Sequence, residues 1–117
     1  MGICFEGIGQ VVATFRTGDE TLAAGMAVTM TGNGEVGLGK ADDPLCGITV
    51  SAARGGAVAV QIGGVARAGR SDDDGKLETG WQKLACDGKG GVKTADETGG
   101  TKFLVLTADE KSAAVKL

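Results

Sequence analysis

Two glycine phrases come closest to a chemical motif. Gly32-Asn33-Gly34-Glu35-Val36-Gly37 spells G-x-G-x-x-G, the dinucleotide fingerprint. Gly34 to Lys40 (Gly-Glu-Val-Gly-Leu-Gly-Lys) follows the P-loop pattern up to its last position. Both motifs work by aiming backbone N–H groups at phosphate from the start of a helix. Ala41 stands where the P-loop has the hydroxyl that holds magnesium, and Leu38 to Pro44 cannot begin a helix of useful length. In a chain with 22 glycines such matches arise readily. Asp72-Asp73-Asp74-Gly75 looks like the start of a calcium loop, but the twelfth position, where an EF-hand needs Glu, is Lys83. The chain has no histidine, so Ser51, Ser71 and Ser112 have no imidazole to activate them. Cys4, Cys46 and Cys86 lack one too, and three cysteines about forty apart make neither a disulfide framework nor a zinc pattern. The expectation is a protein that is not an enzyme and carries no cofactor or metal.

Bulk properties narrow the partners. The 117 residues carry a net charge of −3 with no basic cluster along the sequence, so nucleic acid is not an expected partner. No apolar run reaches the ~18 residues of a membrane span, and Met1-Gly-Ile-Cys-Phe-Glu6 lacks the basic start of a signal peptide. Glu6 also stands where myristoylation wants Ser or Thr. One proline, three Phe, one Trp and no Tyr leave the core to Val, Ile, Leu, Met and Ala. So thin a core would gain from self-association.

These residues must be positioned by short strands. Gln10 to Arg16 is β-branched and reads as the first strand after an extended arm over residues 1–9. Glu20 to Ala24 has room for one helical turn before Gly25. Met26 to Thr31 is a strand, Thr31-Gly-Asn-Gly34 a hairpin turn, and Glu35 to Leu38 the returning strand. Leu45 to Ala52 is the next strand. Val58, Val60 and Ile62 alternate on one side of another, and Val65 to Ala68 follows beyond Gly63-Gly64, a tight turn or sharp bend. Arg70 to Lys76 is a polar loop. The fold class is all-β: a small barrel or sandwich of short antiparallel strands, a single domain over residues 10–117.

The chain also repeats itself. Leu22 to Ile62 set over Leu77 to Leu117 brings Gly25 onto Gly80, Met26 onto Trp81, and Ile48-Thr-Val50 onto Phe103-Leu-Val105. Ala59-Val-Gln-Ile62 falls on Ala114-Val-Lys-Leu117. This predicts two related halves, 22–62 and 77–117, with Val65 to Ala68 as a connector that has no counterpart. It also makes Ala113 to Leu117 a strand, although Ala108 to Leu117 contains good helix formers.

Several phrases together resemble a known family. They are Ala24-Gly-Met-Ala-Val28, Gly47-Ile-Thr-Val50, Val58-Ala-Val-Gln-Ile-Gly-Gly-Val-Ala66, Gly80-Trp-Gln-Lys-Leu84, Asp87-Gly-Lys-Gly90 and Ala114-Val-Lys-Leu117. Over residues 8–117 the chain is similar to the small phage proteins that decorate or cement the outside of icosahedral heads. That resemblance implies an all-β fold without catalysis and a place on the virion exterior after synthesis in the host cytoplasm. It also implies the major capsid protein as partner, with self-association, a trimer being favoured. The arm at Ile3 to Ile8 and the Asp72 to Asp74 insert depart from a typical member. Other classes stay open: a tail-tube or head–tail connector component, or a small-ligand or carbohydrate-binding β module. Partner contacts are expected at Ile3, Phe5 and Ile8, which either add a strand to a neighbour's sheet edge or tuck into the protein's own barrel. Trp81 either anchors an interface or, at the position of Met26, sits half-buried in the core.

Overall fold

The computed structural model describes residues 9–69, 77–95, 101–109 and 112–117. The described residues contain no helix and ten strands in two five-stranded sheets. The first sheet is built from β1 (Val11–Arg16), β2 (Ala27–Gly32), β3 (Glu35–Leu38), β4 (Gly47–Thr49) and β5 (Ala57–Gly63). The second is built from β6 (Val65–Gly69), β7 (Gly80–Cys86), β8 (Val92–Thr94), β9 (Thr101–Ala108) and β10 (Ser112–Lys116).

Alternation along the first five strands makes a closed barrel. Phe15, Val28, Val36, Leu38, Val58 and Val60 turn inward around Leu22. The strand order is β1-β3-β2-β4-β5, and β1 returns to pair antiparallel with β5. Closure comes from a parallel contact between β1 and β3 at Arg16 and Glu35, the exception to otherwise antiparallel pairing. Arg16 N–H donates to Gly34 O at 2.8 Å, and its guanidinium reaches Asn33 O at 2.6 Å. The phrase that imitates a nucleotide motif is therefore a hairpin: Gly34 takes φ +64° in the two-residue turn, and strand β3 follows where a helix would be needed. Glu20 to Ala24 forms turns rather than a helical turn, with Asp19 Oδ1 accepting from Thr21 N–H at 3.0 Å. The strand expected over Leu45 to Ala52 shortens to β4, although Val50 N–H still donates to Ala59 O.

The second sheet has the order β6-β10-β9-β7-β8. Written from β1 round the barrel, the first sheet runs β1-β5-β4-β2-β3, so adding five to each number converts one order into the other. The registers agree as well. Val12, Ala13, Thr14 and Phe15 face Gln61, Val60, Ala59 and Val58, while Val65, Ala66, Arg67 and Ala68 face Lys116, Val115, Ala114 and Ala113. Strand β6 thus occupies the place of β1. This corrects the reading of Val65 to Ala68 as a connector without counterpart. Its signal was hidden because Gly63-Gly-Val-Ala-Arg67 and its counterpart Gln10-Val-Val-Ala-Thr14 share only a Val-Ala pair. The link itself is short: Gly64, at φ +79°, carries the chain from β5 of one sheet to β6 of the other, and those two strands do not pair.

One difference separates the sheets. The second has no β6–β8 strand pairing; Gly91 only abuts Gly69, where a Cβ on Gly91 would lie 2.8 Å from Gly69 O. Its inner face holds Leu84, Val105, Ala113 and Val115, and continues into Ala66, Ala68, Cys86 and Val92. Those last four pack on Ala27, Leu45 and Ile48, which point outward from the first barrel. The first barrel's wall thereby fills the second sheet's concavity. Backbone bonds fix the fit: Ala27 N–H to Gly90 O at 2.8 Å, Asp42 N–H to Cys86 O and Cys86 N–H to Asp43 O at 2.9 Å.

Candidate functional site

Trp81 lies near the start of β7 and is 66% exposed, the most exposed large apolar side chain among the described residues. The half-buried core role is therefore wrong, and the reason is a one-residue shift in the repeat. Leu104 faces Lys116 as Ile48 faces Gln61, so Leu104 takes the place of Ile48 and its partner Trp81 takes that of Ala27 rather than Met26. A register step of one moves a side chain to the opposite face of its sheet. Met26 points into the barrel; Trp81 points out of the second sheet. The shift is absorbed by an irregularity between Ala114 and Val115, where β9 contributes an extra residue.

Following the pairing from Trp81 across the sheet gives a complete row. Trp81 faces Leu104, Leu104 faces Lys116, and Lys116 faces Val65. The equivalent row in the first sheet is Ala27, Ile48, Gln61 and Val12. These rows share geometry and differ in cover. Ala27, Ile48 and Gln61 are buried beneath the second half, and only Val12 at the end is exposed. Gln61 is 4% exposed and donates Nε2–H to Gly63 O at 2.9 Å and to Val65 O at 3.0 Å, tying both sheets together. In the second sheet Val65 is the buried member, whereas Lys116 and Trp81 are exposed and Leu104 is half-buried.

The next row along the same face is Lys83 opposite Lys102. Like charges directly across a ladder disfavour pairing by up to roughly 1 kcal/mol. Lys83, Lys102 and Lys116 thus border Trp81 and Leu104 on one outer wall. Sequence reasoning missed this group because its members are far apart along the chain. The period-2 pairs Trp81-x-Lys83 and Lys102-x-Leu104 were the signal, readable only once β7 and β9 are placed side by side. Val11 and Val12, next to the arm in sequence, and Ile62 on the paired strand β5 are also exposed. Ile3, Phe5 and Ile8 themselves lie outside the described residues, as do Cys4 and the Asp72 to Asp74 loop.

Both cysteines among the described residues are held quiet. Burial, aided by the negative charges of Asp43 and Asp87 and by Cys46, pushes the Cys86 thiol up to about 12. Burial also raises Cys46. Neither forms thiolate readily near neutral pH, and the thiolate is the nucleophile. Asp19 is held below the usual carboxylate range by the Thr21 hydroxyl and then by Thr21 N–H. Asp87 Oδ1 accepts from Lys89 N–H at 2.6 Å and Gly91 N–H at 2.9 Å, which spends it on its own turn. No group of three or more metal-ligating side chains occurs among the described residues. No protein-family model matches the chain, and no curated protein matches it at a significant level.

Proposed function

We propose that the protein is a non-enzymatic viral structural protein that binds the outer surface of a phage capsid and stabilises contacts between major capsid proteins. One observation carries the reading: the wall around Trp81 is exposed where the equivalent wall of the first sheet is covered by protein. A wall of that shape is already used once in the molecule as a contact surface. Shell stabilisation needs little else, since a ligand that bridges subunits raises the stability of the bound state by mass action. The exposed Val11 and Val12, which follow the arm in sequence, supply further apolar contacts, and Ile3, Phe5 and Ile8 are proposed as partner contacts in the same reading. The resemblance of the strand phrases to head-decoration proteins points the same way. Self-association through the same exposed areas belongs to this reading.

The test uses expanded capsids of the encoding virus that lack this protein. Purified protein is added, co-sedimentation is measured, and release of packaged DNA is followed on heating. Binding with a raised release temperature is expected. Absence of both removes the reading. Assembly of the protein alone into stacked rings would favour a tail component instead.

A further inference from the structure

We infer that the wall of the second sheet docks onto an acidic protein surface with an apolar centre, Trp81 and Leu104 meeting the centre and Lys83, Lys102 and Lys116 meeting the acidic rim. The inference rests on the capsid-decoration reading and names the chemistry of that partner's surface. Its starting point is the comparison of equivalent rows. In the first sheet, Ala27, Ile48 and Gln61 are covered by the protein's own second half, and the rim position is a neutral amide. In the second sheet the centre stays apolar and becomes larger, with Ala27 replaced by Trp81 and Ile48 by Leu104. The rim gains positive charge: Gln61 is replaced by Lys116, and Lys83 and Lys102 stand in the adjoining row. An apolar centre bordered by charge is the anatomy of a docking patch, the centre supplying affinity and the rim orientation.

Charge selects the partner. The whole chain carries −3, so a wall bearing three lysines opposes the sign of the rest of the molecule. Such a dipole turns the wall toward an anionic surface before contact and holds the other faces away from it. A protein surface fits better than nucleic acid. A single-stranded track needs a cationic groove with successive aromatic platforms. Here one tryptophan stands opposite an aliphatic leucine, with no second aromatic side chain paired to it on that wall.

The experiment measures binding to the same expanded capsids for wild type, Trp81→Ala, Lys83→Glu/Lys102→Glu and the charge-preserving Lys83→Arg/Lys102→Arg. Urea midpoints are recorded alongside, and because Lys83 is half-buried the single variant Lys102→Glu, at an exposed position, is measured as well. Loss of Trp81 should weaken binding at least tenfold, as truncation of an aromatic anchor commonly does. Charge reversal should weaken it on the order of tenfold or more and flatten its salt dependence, and the arginine pair should bind like wild type. Two results overturn the inference while leaving capsid binding intact: reversal variants that bind as wild type does, or binding that is insensitive to salt. Failure of the wild type itself to bind defeats the capsid reading and this partner with it. A single-stranded oligonucleotide is the last arm. If it binds through the same lysines more tightly than capsid does, the partner is nucleic acid and the inference is wrong.

Discussion

Exchanging Gln61 for glutamate probes the junction between the sheets with almost no change in shape. The amide sits 4% exposed and donates to two backbone carbonyls, Gly63 O and Val65 O. A carboxylate has no proton to give, so both carbonyls would face an oxygen. Leaving a buried polar group unsatisfied costs about 1–3 kcal/mol each. Confining an ionised carboxylate there adds several kcal/mol more. At neutral pH the sum is on the order of 5–10 kcal/mol, comparable to the roughly 6–18 kcal/mol expected for a chain of this length. Acid relieves part of it, because a protonated carboxyl can donate to one of the two carbonyls. The new group's pKa in the folded state must therefore lie above the ~4.3 of an unfolded glutamate. Between those two values the folded chain keeps a proton that the unfolded chain has lost. Stability then falls as pH rises through the window, by about 1.4 kcal/mol per unit. Urea unfolding of wild type and Gln61→Glu at pH 4, 5, 6 and 7.5 reads this directly, with Gln61→Leu as a variant whose penalty does not depend on pH. A Gln61→Glu penalty that is absent, or the same at every pH, would refute the assignment of Gln61 as the donor joining the sheets.

Further outcomes follow from single positions. A Cβ on Gly47 would run into Gln61 O and lie 2.7 Å from Val60 Cγ1, so Gly47→Ala should separate β4 from β5 and cost about 1–3 kcal/mol in chemical denaturation. Gly64→Ala should lose about 1–2 kcal/mol from the φ of +79° alone, whereas alanine at exposed Gly18, where a Cβ would meet nothing, should be nearly neutral. Cys86, with its thiol raised to about 12 against an ordinary 9.0, should resist iodoacetamide at pH 8 in native protein and react in urea, as peptide mass spectrometry would show. The same shift makes folded protein hold a proton that the unfolded chain releases, so stability should decline from about pH 9 upward and decline less in Cys86→Ala. Trp81 is the chain's one tryptophan, so the emission of unbound, monomeric protein should be red-shifted and quenched by iodide; a blue-shifted, protected spectrum would contradict its exposure.

How much of this was legible in the sequence depends on distance along the chain. Strands set by local alternation were readable: Gln10 to Arg16, the hairpin about Asn33-Gly34, and Val58 to Ile62 all lie close to where the pattern put them. The C-terminal segment was readable only by analogy. Its alanines favour a helix, and pairing of Ser112 to Lys116 on two neighbours overrides that propensity. What failed was register. An alignment off by one at Trp81 inverted its face, and no local feature of Gly80-Trp-Gln-Lys could reveal the irregularity near Ala114 that sets the count. The lysine group was invisible for a related reason, since its members meet only through the pairing of β7, β9 and β10. The role of β6 was obscured by Gly63-Gly64, which resembles a hairpin turn and instead hands the chain to a second sheet.

That the first sheet closes on itself while the second must be filled by its neighbour gives the two halves unequal independence. Residues of the first barrel satisfy their own edges through Arg16, Gly34 and Glu35. Ala66, Ala68, Cys86 and Val92 find their apolar cover on a wall that the earlier residues build. A ribosome delivers the chain N-terminus first, at about 5–20 residues per second, so the residues of the wall are made seconds before those of the sheet that needs it. The molecule carries its own mould, made first and kept as part of the product.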